Sequence, residues 1–308
     1  MLMDIKELEE LRKAYKEKKT KFKNVFICIY AIIASMILLS SITKRAMYYP
    51  TGALFMESII ALFHPAIFLF VVYIIVSSFT SNKEAIAYRR AYKAYFVSST
   101  MKKVFTDIKY SHEAAMPKAL ISETNMMQMG DTYTSNDYLV AKYKGHSFQQ
   151  ADVHIQERHT DSDGDTTYTT IFRGRWVIFD LKKKINKRLL VAGKYFNCEK
   201  YDRTFKRINL ESSDFNRSFN TFAQDGFEAF YVLDPAIMER IMKLGILHNN
   251  RIMICFANGK MHIAINNNVD SFEPSSINKP IDEKQEFNKV LNDIKVITNI
   301  IDEVKLVK

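Results

Sequence analysis

The stretch richest in possible chemistry is acidic: Asp161-Ser162-Asp163-Gly164-Asp165. Carboxylates at alternate positions are the raw material of a calcium loop. The EF-hand pattern needs Gly directly after the third acidic ligand and a Glu six residues beyond that Gly. Here Gly164 precedes Asp165, and Thr170 holds the final place. The stretch is therefore expected to be the polar turn of a hairpin. Seven histidines stand at 64, 112, 146, 154, 159, 248 and 262. His154 and His159 are five apart and would face opposite ways on one strand, so they do not form a zinc pair. Cys28, Cys198 and Cys255 include no CxxC spacing, which argues against a thiolate zinc site and a disulfide framework.

No P-loop, GxGxxG, HExxH or GxSxG is present. No catalytic, cofactor-binding or metal-ligating residue is nominated, and no cofactor is expected. If the chain were an enzyme on a membrane-associated substrate, Asp180, Arg173 and His262 are polar groups expected to converge. Glu57 and His64 lie seven apart on one helix face inside an apolar region. They are read as a carboxylate at the water boundary and a neutral imidazole one or two turns in. The sharper reading is a proton- or ion-handling pair in a minor subunit of a transport assembly.

The elements that must position these groups fall into two kinds. Val25 to Ile42 is 18 residues without a charge, about 27 Å as a helix, close to the hydrocarbon thickness. Ile59 to Phe79 is 21 residues with no formally charged side chain. Both lack the polar stripe of a soluble helix. Eight Lys and Arg precede the first run, two lie in the loop 43–58, and Lys83, Arg89, Arg90 and Lys93 follow the second. The positive-inside rule then places both termini in the cytoplasm. The expectation is a multi-pass protein of the inner (cytoplasmic) membrane. Its parts would be a basic amphipathic helix (1–24), transmembrane helix 1 (25–42), a short external loop (43–58), transmembrane helix 2 (59–79), a juxtamembrane helix (80–109) and a cytoplasmic domain (110–308).

The formal charge of +10 invites a nucleic-acid reading. Residues 1–109 hold 17 Lys and Arg against 8 Asp and Glu, whereas 110–308 hold 27 against 26. The basic excess flanks the apolar runs, where anionic lipid accounts for it, so nucleic acid is not an expected partner. Lys182-Lys183-Lys184 with Lys187 and Arg188 is a further basic cluster, suited to anionic lipid or an acidic partner.

The domain after residue 110 reads as α+β with a mainly antiparallel sheet and packed helices. Strands are expected at 138–143, 152–158, 166–180, 189–192, 227–232, 252–256 and 261–265, with a bulge at Gly174. Asn258-Gly259 between the last two predicts a tight hairpin. Ser212 or Ser213 should cap a short helix, Asp234-Pro235 opens one ending at Gly245, and the last runs from Asp282 to about Val304 with a core-packing stripe.

Several phrases carry a likeness. They are Phe172-Arg173-Gly174-Arg175-Trp176-Val177-Ile178-Phe179-Asp180, Leu210-Glu211-Ser212-Ser213-Asp214-Phe215, and Tyr231-Val232-Leu233-Asp234-Pro235 with Ala236 to Arg240. Gly259-Lys260-Met261-His262-Ile263-Ala264-Ile265 and Phe272-Glu273-Pro274 complete them. In these the chain resembles a bacterial membrane family known as domain-of-unknown-function family 3137. The resemblance implies two N-terminal spans, a juxtamembrane helix and an α+β cytoplasmic domain, and it implies no activity, cofactor or catalytic residue. The function expected is a membrane-tethered interaction module binding a protein, peptide or lipid headgroup. Its partners would be the lipid bilayer and another membrane or cytoplasmic protein, with self-association open.

Overall fold

A computed structural model describes residues 4–48, 72–73, 82–181, 187–196 and 206–304. The chain divides into two compact units, residues 1–95 with 274–283, and 96–273 with 284–308.

In the first unit, α1 (Ile5–Tyr48) is one unbroken helix of 44 residues, about 66 Å long at 1.5 Å per residue. It packs against α2 (Asn82–Tyr92). Tyr15 of α1 meets Tyr88 of α2 with ring centroids 6.4 Å apart, and Lys18 bridges to Glu84 at 2.6 Å. Glu9 pairs with Arg12 at 2.6 Å, and Arg12 Nη1 also donates to the carbonyl of Ile277 at 2.5 Å. The buried guanidinium is thus paired and bonded, as a charge out of water must be.

Among the described residues no helix is long and apolar enough to cross a membrane. The expected spans at 25–42 and 59–79 are therefore not seen as spans. Side chains of the first run are described from Val25 to Met36, next to Lys19, Lys21 and Lys23. Apart from Val72 and Tyr73, the second run lies outside the described residues, as do Glu57, His64, Cys198 and Lys182 to Lys184.

The second unit confirms the α+β expectation. After a π-helical turn (Lys93–Ser98) and α3 (Ser99–Val104), nine strands among the described residues form one antiparallel sheet. They are β1 (Thr106–Ser111), β2 (Thr132–Tyr143), β3 (His146–Thr160), β4 (Thr166–Asp180), β5 (Leu189–Gly193), β6 (Lys206–Ile208), β7 (Phe219–Ala223), β8 (Ile252–Ala257) and β9 (Lys260–Ile265). The spatial order is β1-β2-β3-β4-β9-β8-β5-β7-β6. Short helices α4 (Lys118–Ser122), α5 (Ser213–Ser218), α6 (Gly226–Val232) and α7 (Pro235–Leu247) punctuate it, and α8 (Glu283–Val304) closes it.

Local chemistry explains the boundaries. Asn258 and Gly259 take φ of +51° and +71°, the conformation a tight hairpin between β8 and β9 requires. Asp234 Oδ1 accepts from Ile237 N at 2.8 Å and caps α7, while Ser212 Oγ accepts from Phe215 N and caps α5. The acidic stretch is a hairpin turn: Asp161 Oδ1 accepts from the amides of Asp163 and Asp165 at 3.1 and 2.8 Å. α8 buries Val290, Ile294, Ile297 and Ile301 as its spacing predicts, but Leu291 stays exposed.

Two expectations are corrected. Residues 227–232 form a helix, not a strand. Asp225 accepts from Phe227 N at 3.0 Å as N-cap, Ala229 and Val232 bury at i and i+3, and the aromatic residues face outward. Gly174 is regularly paired with Val153, and the bulge falls at Ile171, where the register shifts between Phe172 and Thr170.

One face of the sheet, with Val153, Ile155, Phe172, Trp176, Ile178 and Cys255, packs under Met116, Ile121 and Met126 to form the main apolar core. His262 sits in that core. Its Nδ1 accepts from Trp176 Nε1 at 3.3 Å, while Glu123 Oε1 at 4.0 Å from Nε2 is beyond hydrogen-bond reach. Burial, with Lys260 acting the same way, depresses the imidazole from 6.5 to about 4. The folded chain therefore keeps His262 neutral where the unfolded chain protonates it. Stability from this group is whole above about pH 6.5 and falls as pH drops toward 4, by about 3 kcal/mol in total. Urea midpoints measured between pH 4 and 7 should fall less steeply for His262→Gln than for the wild type, and parallel curves would refute the assignment.

Candidate functional site

On the opposite face of the sheet, β2, β3 and β4 gather polar groups. The register of β2 against β3 breaks between Asn136 and Leu139, and Asp137 there has φ +55°. A bulge of this kind re-aims a side chain, and Asp137 becomes fully buried. Its carboxylate accepts from the Tyr110 hydroxyl at 2.5 Å and from Asn136 Nδ2 at 2.9 Å. Burial and the neighbouring Asp137 push the Tyr110 phenol well above its ordinary range, so the hydroxyl stays a donor.

Gln150 and Asp152 are two apart on β3 and share a face. Gln150 Nε2 donates to the carbonyl of Asp137 at 2.9 Å, and its Oε1, buried, has no hydrogen-bond partner. Asp152 Oδ2 accepts from Ser271 N at 2.6 Å. Its Oδ1 has no hydrogen bond and meets Arg175 Nε only at 3.7 Å. Burial raises the Asp152 carboxyl to about 7, with Asp137 and Asp270 pushing the same way and Arg175 opposing.

The segment after β9 supplies the remaining groups. Asn268 donates to the carbonyl of Arg173 at 2.9 Å, and Val269 N to Asn267 Oδ1 at 3.1 Å, folding this segment over the end of β4. Asp270 Oδ1 accepts from Asn136 Nδ2 at 3.2 Å. Phe272, at φ +62°, stacks under the Arg175 guanidinium 5.1 Å away. Arg175 Nη1 donates to the carbonyl of Asp293 on α8 at 2.5 Å, and Phe272 N donates to the Asp293 carboxylate. Lys289 reaches the carbonyl of Glu273 at 2.5 Å and the Asp293 carboxylate at 3.5 Å. One carboxylate oxygen each from Asp137, Asp270 and Glu273 lies within 4.8 Å of the others. Asp137 is buried, Glu273 half-buried and Asp270 exposed, so the cluster opens to solvent at one end.

The residues that the sequence brings forward as a possible catalytic set do not converge. Asp180 is exposed at the end of β4, Arg173 is seven residues back and about 23 Å along the strand, and His262 lies in the apolar core. Cys255 faces the same core, where burial pushes its thiol up to about 12, far from a reactive thiolate.

A second feature is a surface. α6 turns Phe227, Phe230 and Tyr231 outward, and Phe227 is 91% exposed. Lys206 and Ile208 of the edge strand β6 line a shallow groove with Phe227 and Phe230. Lys187 extends beside α6, its Nζ on Asp225 at 3.2 Å and its amide on Glu228. A strand at 227–232, as the sequence predicts, would not turn all three aromatic residues to one exposed face.

No curated protein matches the chain. Among solved structures, the mycobacterial trehalose monomycolate transport factor A, TtfA, is similar at a TM-score of 0.36 and 8% identity, over 70% of this chain and 94% of that one. That likeness is too slight to carry an argument. The model of a family described as "Protein of unknown function (DUF3137)" matches residues 170–306. The matched stretch runs from β4 into α8 and includes Arg175, Asp270, Glu273 and Asp293. Over these residues the chain is similar to the DUF3137 family of proteins of unknown function.

Proposed function

We propose that this chain is anchored in the cytoplasmic membrane by its two N-terminal apolar runs and holds its sheet domain at the inner leaflet as an interaction module. The contact surface is the aromatic face of α6, and its partner is the anionic bilayer surface. The observation that carries this reading is Phe227, Phe230 and Tyr231 exposed beside Lys187 and Lys206. Solvent-facing aromatics rimmed by lysines suit the headgroup layer, where rings bury and ammonium groups meet anionic lipid. The sequence places Lys182, Lys183 and Lys184 just before Lys187, adding charge of the same sign.

Anchoring is supported by α1, where Val25, Ile27, Ile32 and Met36 are each more than half exposed. Tyr73 of the second run stacks on Phe22 at 5.5 Å and meets Phe26 edge-on at 5.2 Å, as a returning span would. Resistance of the membrane-bound chain to alkaline carbonate extraction is expected, and release into the supernatant would sink the anchor. Amide exchange of residues 226–232, compared in nanodiscs of neutral and of anionic lipid, tests the surface. Slower exchange in anionic discs is expected, and it should disappear in a Phe227→Glu/Tyr231→Glu variant. Equal exchange in the two lipids refutes the proposed contact.

A further inference from the structure

We propose that the outer edge of β4 at Thr166–Thr170 pairs with the same edge of a second copy of this chain, antiparallel and centred on Tyr168. β3 and β4 run on past the rest of the sheet as a two-stranded ribbon. β2 leaves β3 at Gln156, and β9 reaches β4 only from Arg175 onward. In the ribbon, Glu157 to Thr160 pair with Thr169 to Thr166. Residues 166 to 170 are exposed on both faces of the strand. A two-stranded ribbon without a core beneath it is marginal in water and gains from a further strand.

The two edges of the ribbon differ. On the β3 side, Asp131 Oδ2 accepts from Arg158 N at 2.8 Å, and Gln128 Nε2 donates to Glu157 at 2.9 Å. On the β4 side, no strand among the described residues pairs with the outer edge before Arg175. That edge also lacks the usual guards against pairing. Thr166-Thr167-Tyr168-Thr169-Thr170 holds no charge and no proline, and its residue types favour strands. The bulge at Ile171 ends it, and Asn266 and Asn268 take up the backbone of Arg173. The open stretch is thus about 17 Å long at a strand's rise per residue.

The sequence of this stretch selects the occupant. It reads the same in both directions. A two-fold axis at Tyr168 therefore sets Tyr168 against Tyr168, Thr167 against Thr169, and Thr166 against Thr170. Aromatic and Thr–Thr pairs across antiparallel strands are favourable, and a closed two-fold dimer needs a self-complementary surface. Charge agrees with this register. Next outward, Asp165 faces Ile171 of the second copy and lies diagonal to its Arg173. Such diagonal neighbours are about 7–8 Å apart, within reach of a long side chain. The symmetry makes this pair of opposite charges twice.

An edge of this length makes a small interface, and small interfaces are weak, so a covalent trap is the test. Thr167→Cys, Tyr168→Cys and Thr169→Cys are each made in the full chain carrying Cys28→Ser and Cys198→Ser. Each is oxidised in cells and again after purification into detergent. All three positions are exposed. Facing Cα atoms lie about 4.5–5.5 Å apart, within disulfide reach, whereas two copies of position 167 would be about 8 Å apart. Tyr168→Cys should give a disulfide-linked dimer. Thr167→Cys or Thr169→Cys alone should give several-fold less, and a mixture of the two should restore it. No dimer from Tyr168→Cys overturns the proposal, and so do equal yields at all three positions, the mark of random collision. A Tyr168→Cys chain bridged to a different protein, and not to itself, assigns the edge to another partner and also overturns it. Independently, Asp165→Lys or Arg173→Glu should raise the dimer dissociation constant by about 2- to 30-fold in sedimentation equilibrium. The Asp165→Lys/Arg173→Glu double variant should recover dimerisation, and failure to recover overturns the register.

Discussion

Arg175→Met should destabilise the sheet domain by about 3–5 kcal/mol, because it removes a cation ion-paired to Asp152 in a place where both are nearly excluded from water. Methionine keeps the length and much of the volume, so the loss reports charge and hydrogen bonding more than packing. The guanidinium has three attachments: the Asp152 carboxylate, the carbonyl of Asp293 and the ring of Phe272. Its removal therefore also loosens the 270–273 segment from α8. The check is a double-mutant cycle by urea denaturation. Asp152→Asn added to Arg175→Met should recover part of the loss, since the second change removes the stranded charge. If the two losses simply add, the pair does not interact and the electrostatic account of this face fails.

Gly174→Ala, one residue away, should cost about 3 kcal/mol or more through backbone geometry alone. Gly174 has φ +155°, and an added Cβ would overlap the carbonyl oxygen of Ile265 and press on Asn267 Oδ1. The close approach exists because the chain leaving β9 folds back over β4. A methyl group there meets main chain, which cannot swing aside as a side-chain tip can. Strain of about 1–3 kcal/mol for the dihedral adds to about 1–3 kcal/mol for overpacking. Thermal melting of the variant is the measurement, and a wild-type midpoint would refute the close approach.

Much of the sheet domain was legible in the sequence because its signals are local. The Asn258-Gly259 turn, the Asp234-Pro235 cap and the β-branched run of β4 each specify their own conformation over a few residues. The α6 segment reads as a strand because Phe227 to Val232 is a short run rich in aromatic residues, and the Asp225 cap is what marks it as a helical turn. Gly174 was expected to mark a bulge and does not; its φ of +155° goes with a neighbouring strand's exit, which no local pattern encodes. The carboxylate cluster was illegible for the same reason. Its members come from residues 137, 150–152 and 270–273, brought together by a bulge in β2 and a fold-back after β9. The acidic stretch that drew attention, 161–165, is a turn whose first aspartate is occupied by its own backbone. A faint signal was available: Asn136-Asp137 interrupts an otherwise β-rich run, and Asn266-Asn267-Asn268 follows β9 with no hydrophobic residue.

The strand order has a consequence for how the protein is made. β1 to β4 are neighbours in sequence and space, but the next strand beside β4 is β9, about 80 residues later. On a ribosome adding roughly 5–20 residues per second, β4 would emerge some 4–16 s before its partner. During that interval its outer row of backbone donors and acceptors, running through Trp176 and Ile178, is an open template for another chain. Joining the two halves of the sheet also closes a long loop, a slow step in folding. The phrase 172–180 is thus the place where a nascent copy is most exposed to its neighbours, and its burial awaits the arrival of residues 260–265.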